Sequence, residues 1–140
     1  MSRIYWDTNL FIYLIEESGV RYQQVTALLA RIWERDDRLF TSTLTLGEVL
    51  VKPVETGNFA LAGSYERLLS EHVVLLPFSA DTARAYAAIR HDRAIRTPDA
   101  IQLACAAAVG MDLFITNDDR LSRTVVPGIH FLAALDQAFI

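Results

Sequence analysis

Cysteine and lysine are nearly missing from this chain: 140 residues hold one of each, Cys105 and Lys52. A lone cysteine cannot close an internal disulfide or build a thiolate zinc site, so a disulfide scaffold is excluded and a reducing cytoplasm fits. Cys105 lies in an alanine-rich run, where a small buried thiol is expected. No stretch reaches the roughly 18 apolar residues needed to cross a bilayer. The longest apolar-leaning run, Ala100 to Met111, is broken by Gln102 and Gly110. The first residues lack a secretory leader's plan, with only Arg3 before Asp7. A glycine-rich phosphate loop is missing too, Gly63-Ser64 standing alone. The histidines, His72, His91 and His130, are scattered, and none pairs with a nearby serine or cysteine as a nucleophile system requires.

What is present is a globular composition, 52% hydrophobic and 21% charged. Lysine and arginine total 13, so Lys52 stands beside twelve arginines, and the net charge is −4. An acidic chain repels phosphates overall, so any binding to nucleic acid needs a metal and a local arginine patch. No repeat, low-complexity tract or linker interrupts the chain, which predicts one domain over residues 1–140.

Patterning predicts strands at Arg3–Asp7, Leu39–Thr41, Val73–Pro77, Leu113–Thr116 and Ile129–Leu132. Between them, helices are expected over Leu10–Glu16, Val20–Arg35 and Phe59–Glu71. A further helix begins at Ser42 or Thr43 and should stop before Pro53. Ser79 caps a helix reaching about His91, and Thr97-Pro98 opens another, with Thr97 as cap and Pro98 at the first position. Asp118 to Ser122 reads as a helical turn. Alternating strands and helices predict an α/β fold: a three-layer α/β/α sandwich around a mainly parallel sheet of four to five strands. In such sheets the functional crevice lies at the carboxyl ends of the strands.

Four carboxylates fall where these elements begin or end: Asp7 in I-Y-W-D-T-N, Glu48 in T-L-T-L-G-E-V-L, Asp99 in T-P-D-A-I-Q-L-A and Asp118 in L-F-I-T-N-D-D. Each has an ordinary reading. Asp7 can cap the helix behind it, and Glu48 can pair with Lys52 four residues on. Asp99 suits the positive end of its helix, and Asp118 or its neighbour Asp119 can cap a turn. Together at the rim of one sheet they point elsewhere. Two carboxylates about 5 Å apart at an effective dielectric near 20 repel by roughly 3 kcal/mol. Protonation or a cation must relieve such a cluster, and magnesium and manganese favour carboxylate oxygens. Arg90, Arg93 and Arg96 precede Asp99 at three-residue steps. They are either solvated charges at a helix end or a phosphate clamp beside the metal.

Taken with their neighbours, these acids resemble the PIN-domain ribonucleases, particularly VapC-type toxins of bacterial toxin–antitoxin pairs. The anchors are Asp7-Thr8-Asn9, Ser42 to Glu48, Thr97-Pro98-Asp99-Ala100 with Ala104 and Ala106, and Thr116-Asn117-Asp118, so the resemblance spans nearly the whole chain. It implies an endoribonuclease dependent on Mg²⁺ or Mn²⁺, with Asp7 and Asp99 as principal ligands and Glu48 and Asp118 completing the acidic pocket. Asn9 and Thr116 correspond to the family's polar supports. The resemblance further implies hydrolysis to 5′-phosphate and 3′-hydroxyl ends, a homodimer, and a cognate antitoxin protein across the pocket.

Other readings remain open on sequence alone. One is a housekeeping RNA-processing nuclease with the same chemistry. A second is a non-catalytic PIN interaction module, against which the four intact acids argue. A third is a Mg²⁺-dependent phosphoryl-transfer domain. That class usually has a lysine near a late strand, whereas the one lysine here is Lys52, and Asp7 is followed by Thr8-Asn9 rather than by a second aspartate pattern.

Overall fold

A computed structural model describes residues 1–16 and 19–138. Among these residues five strands, β1 (Arg3–Trp6), β2 (Arg38–Ser42), β3 (Val74–Leu76), β4 (Met111–Thr116) and β5 (Ile129–Ala134), form one sheet in the order β3-β2-β1-β4-β5. Every pairing is parallel, with Ile4 opposite both Leu39 and Leu113, and Tyr5 opposite Phe40 and Phe114. Among the described residues six α-helices surround it: α1 (Thr8–Glu16), α2 (Gly19–Glu34), α3 (Thr43–Thr56), α4 (Phe59–His72), α5 (Ala80–Ile89) and α6 (Thr97–Val109).

The layering follows from side-chain alternation. Ile4, Trp6, Leu39 and Ile115 join one core with Leu10, Leu28, Val49 and Leu69 from α1 to α4. Tyr5, Phe40 and Phe114, one residue out of phase, join a second core with Leu103 and Ala106 of α6. Strands apolar on both sides must be covered on both sides, which yields the expected α/β/α sandwich. Chain direction then decides which helix lies where. Right-handed crossovers carry β1 to β2 to β3 one way across the sheet, placing α1–α4 on one face. The return from β3 to β4 runs the other way and so puts α5 and α6 opposite.

Cys105 is buried in α6, and burial pushes its thiol up to about 11, so it is an inert core residue. Several boundaries shift by a residue or two from the sequence expectation, and the two beside prolines are instructive. Helix α3 does not stop before Pro53 but runs on to Thr56. The Pro53 ring is buried on the stripe it shares with Thr45 and Val49, and Gly57, left-handed at φ 67°, caps the helix onto the carbonyls of Pro53 and Val54. Packing and cap together outweigh the missing N–H one turn from the end. Helix α6 starts one residue early: Thr97 is helical, Arg96 stands at the cap without a side-chain bond, and Pro98 sits in the first turn.

Candidate active site

Strand order reverses between β1 and β4, since β2 and β3 lie to one side and β5 to the other. That switch point opens a crevice at the carboxyl ends of the two strands. Asp7 is the residue after β1, and Asp118 follows β4 closely. Helix α6 leads down into β4, so its first turn, with Asp99, is at the same rim. Helix α3 leaves the carboxyl end of β2 and brings Glu48 in on its second turn. All four acids line one open cavity of about 680 Å³, together with Asn9, Arg96, Gln102, Thr116 and Asn117.

Asp7 is the most constrained. Its Oδ1 accepts the Thr8 amide at 2.8 Å and its Oδ2 the Thr116 hydroxyl at 2.9 Å. Thr116 in turn accepts the Asp118 amide at 3.1 Å, so a single hydroxyl ties the two aspartate positions together. Burial pushes the Asp7 carboxyl up from 3.8 to about 6. The Thr8 and Thr116 bonds pull it back, while the charges of Asp99 and Glu48 push it further up. The acids therefore act on one another electrostatically.

Glu48 pairs with no lysine. Its Oε1 accepts the Thr8 hydroxyl at 2.7 Å, and no ion pair to Lys52 occurs among the described residues. Asp99 is half-shielded and faces Arg96, whose Nε lies 3.3 Å from its Oδ2. Asp118 also serves its turn, its Oδ1 accepting the Arg120 and Leu121 amides at 2.9 and 3.2 Å. It thus stands ahead of the short 3-10 turn, which begins at Leu121 rather than at Asp118. Asp119 lines the cavity as well.

Of the three arginines, the fold brings only Arg96 to this cavity. The Arg90 guanidinium donates to the Ile95 carbonyl and braces the loop between α5 and α6. Arg93 is exposed on that loop. Asn9 is exposed at the cavity wall. Sequence reasoning passed over Gln102, a buried polar residue one helical turn after Asp99. A polar side chain at that spacing inside an otherwise apolar helix was the available signal.

Among the described residues no three acids, histidines or cysteines close into a preformed metal cage. The donors nonetheless suit a hard divalent ion. All are carboxylate oxygens, and Mg²⁺ keeps several waters and takes one or two protein carboxylates beside substrate phosphate. The upward push on Asp7 from Asp99 and Glu48 is the excess negative charge that such an ion neutralises.

A family model described as PIN domain matches residues 4–126. The fold is similar to VapBC2 from Rickettsia felis bound to a promoter DNA fragment, with a TM-score of 0.76 at 17% identity over 94% of this chain and 98% of that one. DNA-bound VapBC from Salmonella typhimurium gives 0.75 at 20% identity, over 96% and 99%. A toxin-antitoxin complex from Klebsiella pneumoniae gives 0.68 at 25% identity, over 90% and 94%. A comparison with curated proteins finds no significant match.

Proposed function

The chain belongs to the PIN domain family, and from that membership we propose that it is a metal-dependent endoribonuclease, the toxin of a toxin–antitoxin pair. The observation that carries the reading is the shared cavity of Asp7, Glu48, Asp99 and Asp118 at the sheet's switch point. Asp7 and Asp99 would hold Mg²⁺ or Mn²⁺, with Glu48 and Asp118 completing the set directly or through water. When bound, such an ion supplies hydroxide at neutral pH and neutralises charge on the phosphate.

The chain's own residues do the positioning. The Thr8 amide and the Thr116 hydroxyl fix both oxygens of Asp7. Arg96, the arginine on the cavity wall, faces the scissile phosphate and leaves Asp99 to do so, while Asn9 supports the wall. Residues 1–140 act as a single nuclease domain in the cytoplasm; no helix among the described residues is long and apolar enough to cross a membrane. The toxin assignment and a cognate antitoxin are supported by the toxin–antitoxin complexes among the similar structures, and the family resemblance adds a homodimer.

The deciding experiment compares purified wild type with Asp7→Asn on single-stranded RNA, with Mn²⁺, Mg²⁺ or chelator. Wild type cleaves only with metal, leaving 5′-phosphate ends. Asp7→Asn loses more than the roughly 10–100-fold typical of losing an outer-shell partner. Cleavage that survives in chelator, or in a folded Asp7→Asn protein, overturns the reading.

A further inference from the structure

Behind the carboxylates lies a buried amide that the four-acid scheme does not use. Gln102 is 2% exposed, yet its side chain bonds to groups from four separate elements. Its Oε1 accepts the Tyr5 hydroxyl from β1 and the Ser42 hydroxyl, at 2.9 Å, from the end of β2. Its Nε2 has two protons for three acceptors: Thr45 Oγ1 at 2.9 Å takes one, and Thr8 Oγ1 at 3.1 Å and Glu48 Oε1 at 3.3 Å share the other.

The chemistry of the partners fixes the direction of these bonds. An ionised carboxylate only accepts, so the amide end beside Glu48 has to be the NH₂ group; the flipped amide would set a carbonyl against the carboxylate. Thr8 stands 2.7 Å from Glu48 Oε1 and has to donate there, which leaves its oxygen free to accept from Gln102. Thr41 donates to the Trp6 carbonyl at 2.9 Å, so the proton in its bond with Thr45 comes from Thr45. Thr45 in turn is left to accept from Gln102. Every hydroxyl therefore has one proton and one assignment. The donors run from Tyr5 and Ser42, through Gln102 and Thr8, and end on one oxygen of Glu48. Glu48 Oε2 has no partner among the described residues, and Glu48 lines the cavity.

We propose that Gln102 is a positioning residue of this site: held by Tyr5 and Ser42, it aims donors at Glu48 Oε1 and so presents Oε2 to a divalent cation. This rests on the nuclease reading above. A methionine or leucine would fill the same space in α6 without desolvating an amide. The buried amide instead commits its carbonyl and both N–H groups to polar partners, and two of those partners, Thr8 and Glu48, line the cavity. Because Glu48 is solvent-exposed and on a long side chain, it would otherwise sample many rotamers. The bonds from Gln102 and Thr8 remove that freedom in advance.

The test measures Mn²⁺ binding to the full chain by calorimetry, with circular dichroism and melting to verify the fold. Gln102→Met is expected to weaken Mn²⁺ binding roughly 10–100-fold, as loss of an outer-shell partner does. Tyr5→Phe, which removes one anchor of the amide and keeps its donors, weakens it less. Thr8→Ser keeps the hydroxyl and retains wild-type affinity, whereas Thr8→Val matches Gln102→Met. A Gln102→Met protein that melts earlier but binds Mn²⁺ like wild type reduces Gln102 to a core residue and overturns the proposal. Should Gln102→Met not fold, Thr8→Val and Tyr5→Phe decide in the same way. A wild type that binds no Mn²⁺ overturns both this proposal and the nuclease reading. A wild type that binds, with unchanged variants, overturns this one alone.

Discussion

Asp7 is held in a place where its charge is costly, and this has a definite sign. Its folded value of about 6 lies above its ordinary 3.8, so between those values the folded chain holds a proton that the unfolded chain has lost. Stability of the metal-free protein therefore falls as pH rises from about 4 to about 6, and it stays lowered by about 3 kcal/mol above that range. Asp37 works in the opposite sense. Burial pushes its carboxyl up, but the Ser2 amide and the bond and charge of Arg35 outweigh that and hold it below its usual value, so its contribution is lost as pH falls. Subtracting one protein from another separates the two. Asp7→Asn should be more stable than wild type at pH 7 in chelator and equal to it near pH 4, as read by urea unfolding across that range. A constant difference at all pH values would show that the Asp7 charge is not strained. Mn²⁺ should stabilise wild type at pH 7, by about 2.7 kcal/mol at one hundred times its dissociation constant, and should leave Asp7→Asn nearly unmoved. Residues of this kind were legible in the sequence because each acid sits at the mouth of a recognisable element. Gln102 was legible only as a polar break one turn after Asp99, not as a member of the site. Its partners Tyr5, Ser42, Thr45 and Glu48 come from segments that only the fold brings together.

Elements were readable wherever hydrophobic period and punctuation agreed, and Pro53 shows where they conflict. A proline rule that considers only the backbone ends α3 there, but the stripe Thr45, Val49, Pro53 packs inward and the helix continues. Tertiary burial overrode a local preference that sequence alone has no means of weighing. The turn into β5 carries a sharper constraint. Gly128 has φ 97°, in a region that side-chain-bearing residues rarely adopt, and its carbonyl accepts the Met111 amide at the start of β4. A Cβ built on it would come within 2.5 Å of the Ala107 carbonyl oxygen in α6. Backbone of a buried helix cannot yield as the tip of a flexible side chain can. Gly128→Ala should therefore destabilise the protein by roughly 2 kcal/mol or more, combining backbone strain with overpacking. Thermal unfolding reads this directly. Gly47, which has open space and an ordinary helical backbone, serves as the control, and Gly47→Ala should be neutral or slightly stabilising. Equal melting temperatures for the two variants would contradict the close approach of α6 to the β5 turn.

Across the whole molecule, topology converts a chain of negative charge into one with a focused crevice. The net charge is −4, and the cavity itself is acidic, so RNA meets repulsion except where cations face it. The arginine triplet looked uniform in the sequence because all three precede Asp99 at equal three-residue steps. Helix α5 ends at Ile89, and the loop after it sends the three side chains to different tasks. Arg90 braces the Ile95 carbonyl, Arg93 is left in solvent, and Arg96 reaches the cavity beside Asp99. Phosphate contacts carry a measurable signature, since each contact to a single strand contributes about 0.7 to the slope of log affinity against log salt. Arg96→Ala should therefore lower that slope by about 0.7 and weaken RNA binding, measured with Ca²⁺ in place of Mn²⁺ to prevent cleavage. Arg93→Ala should change neither, because a solvated arginine away from the crevice makes no such contact. Arg90→Ala should loosen the loop and weaken binding without lowering the slope, since its role there is structural. If Arg93→Ala produced the slope change and Arg96→Ala did not, the RNA path would run over the α5–α6 loop and away from the acids, and the cavity would no longer be where the phosphate is held.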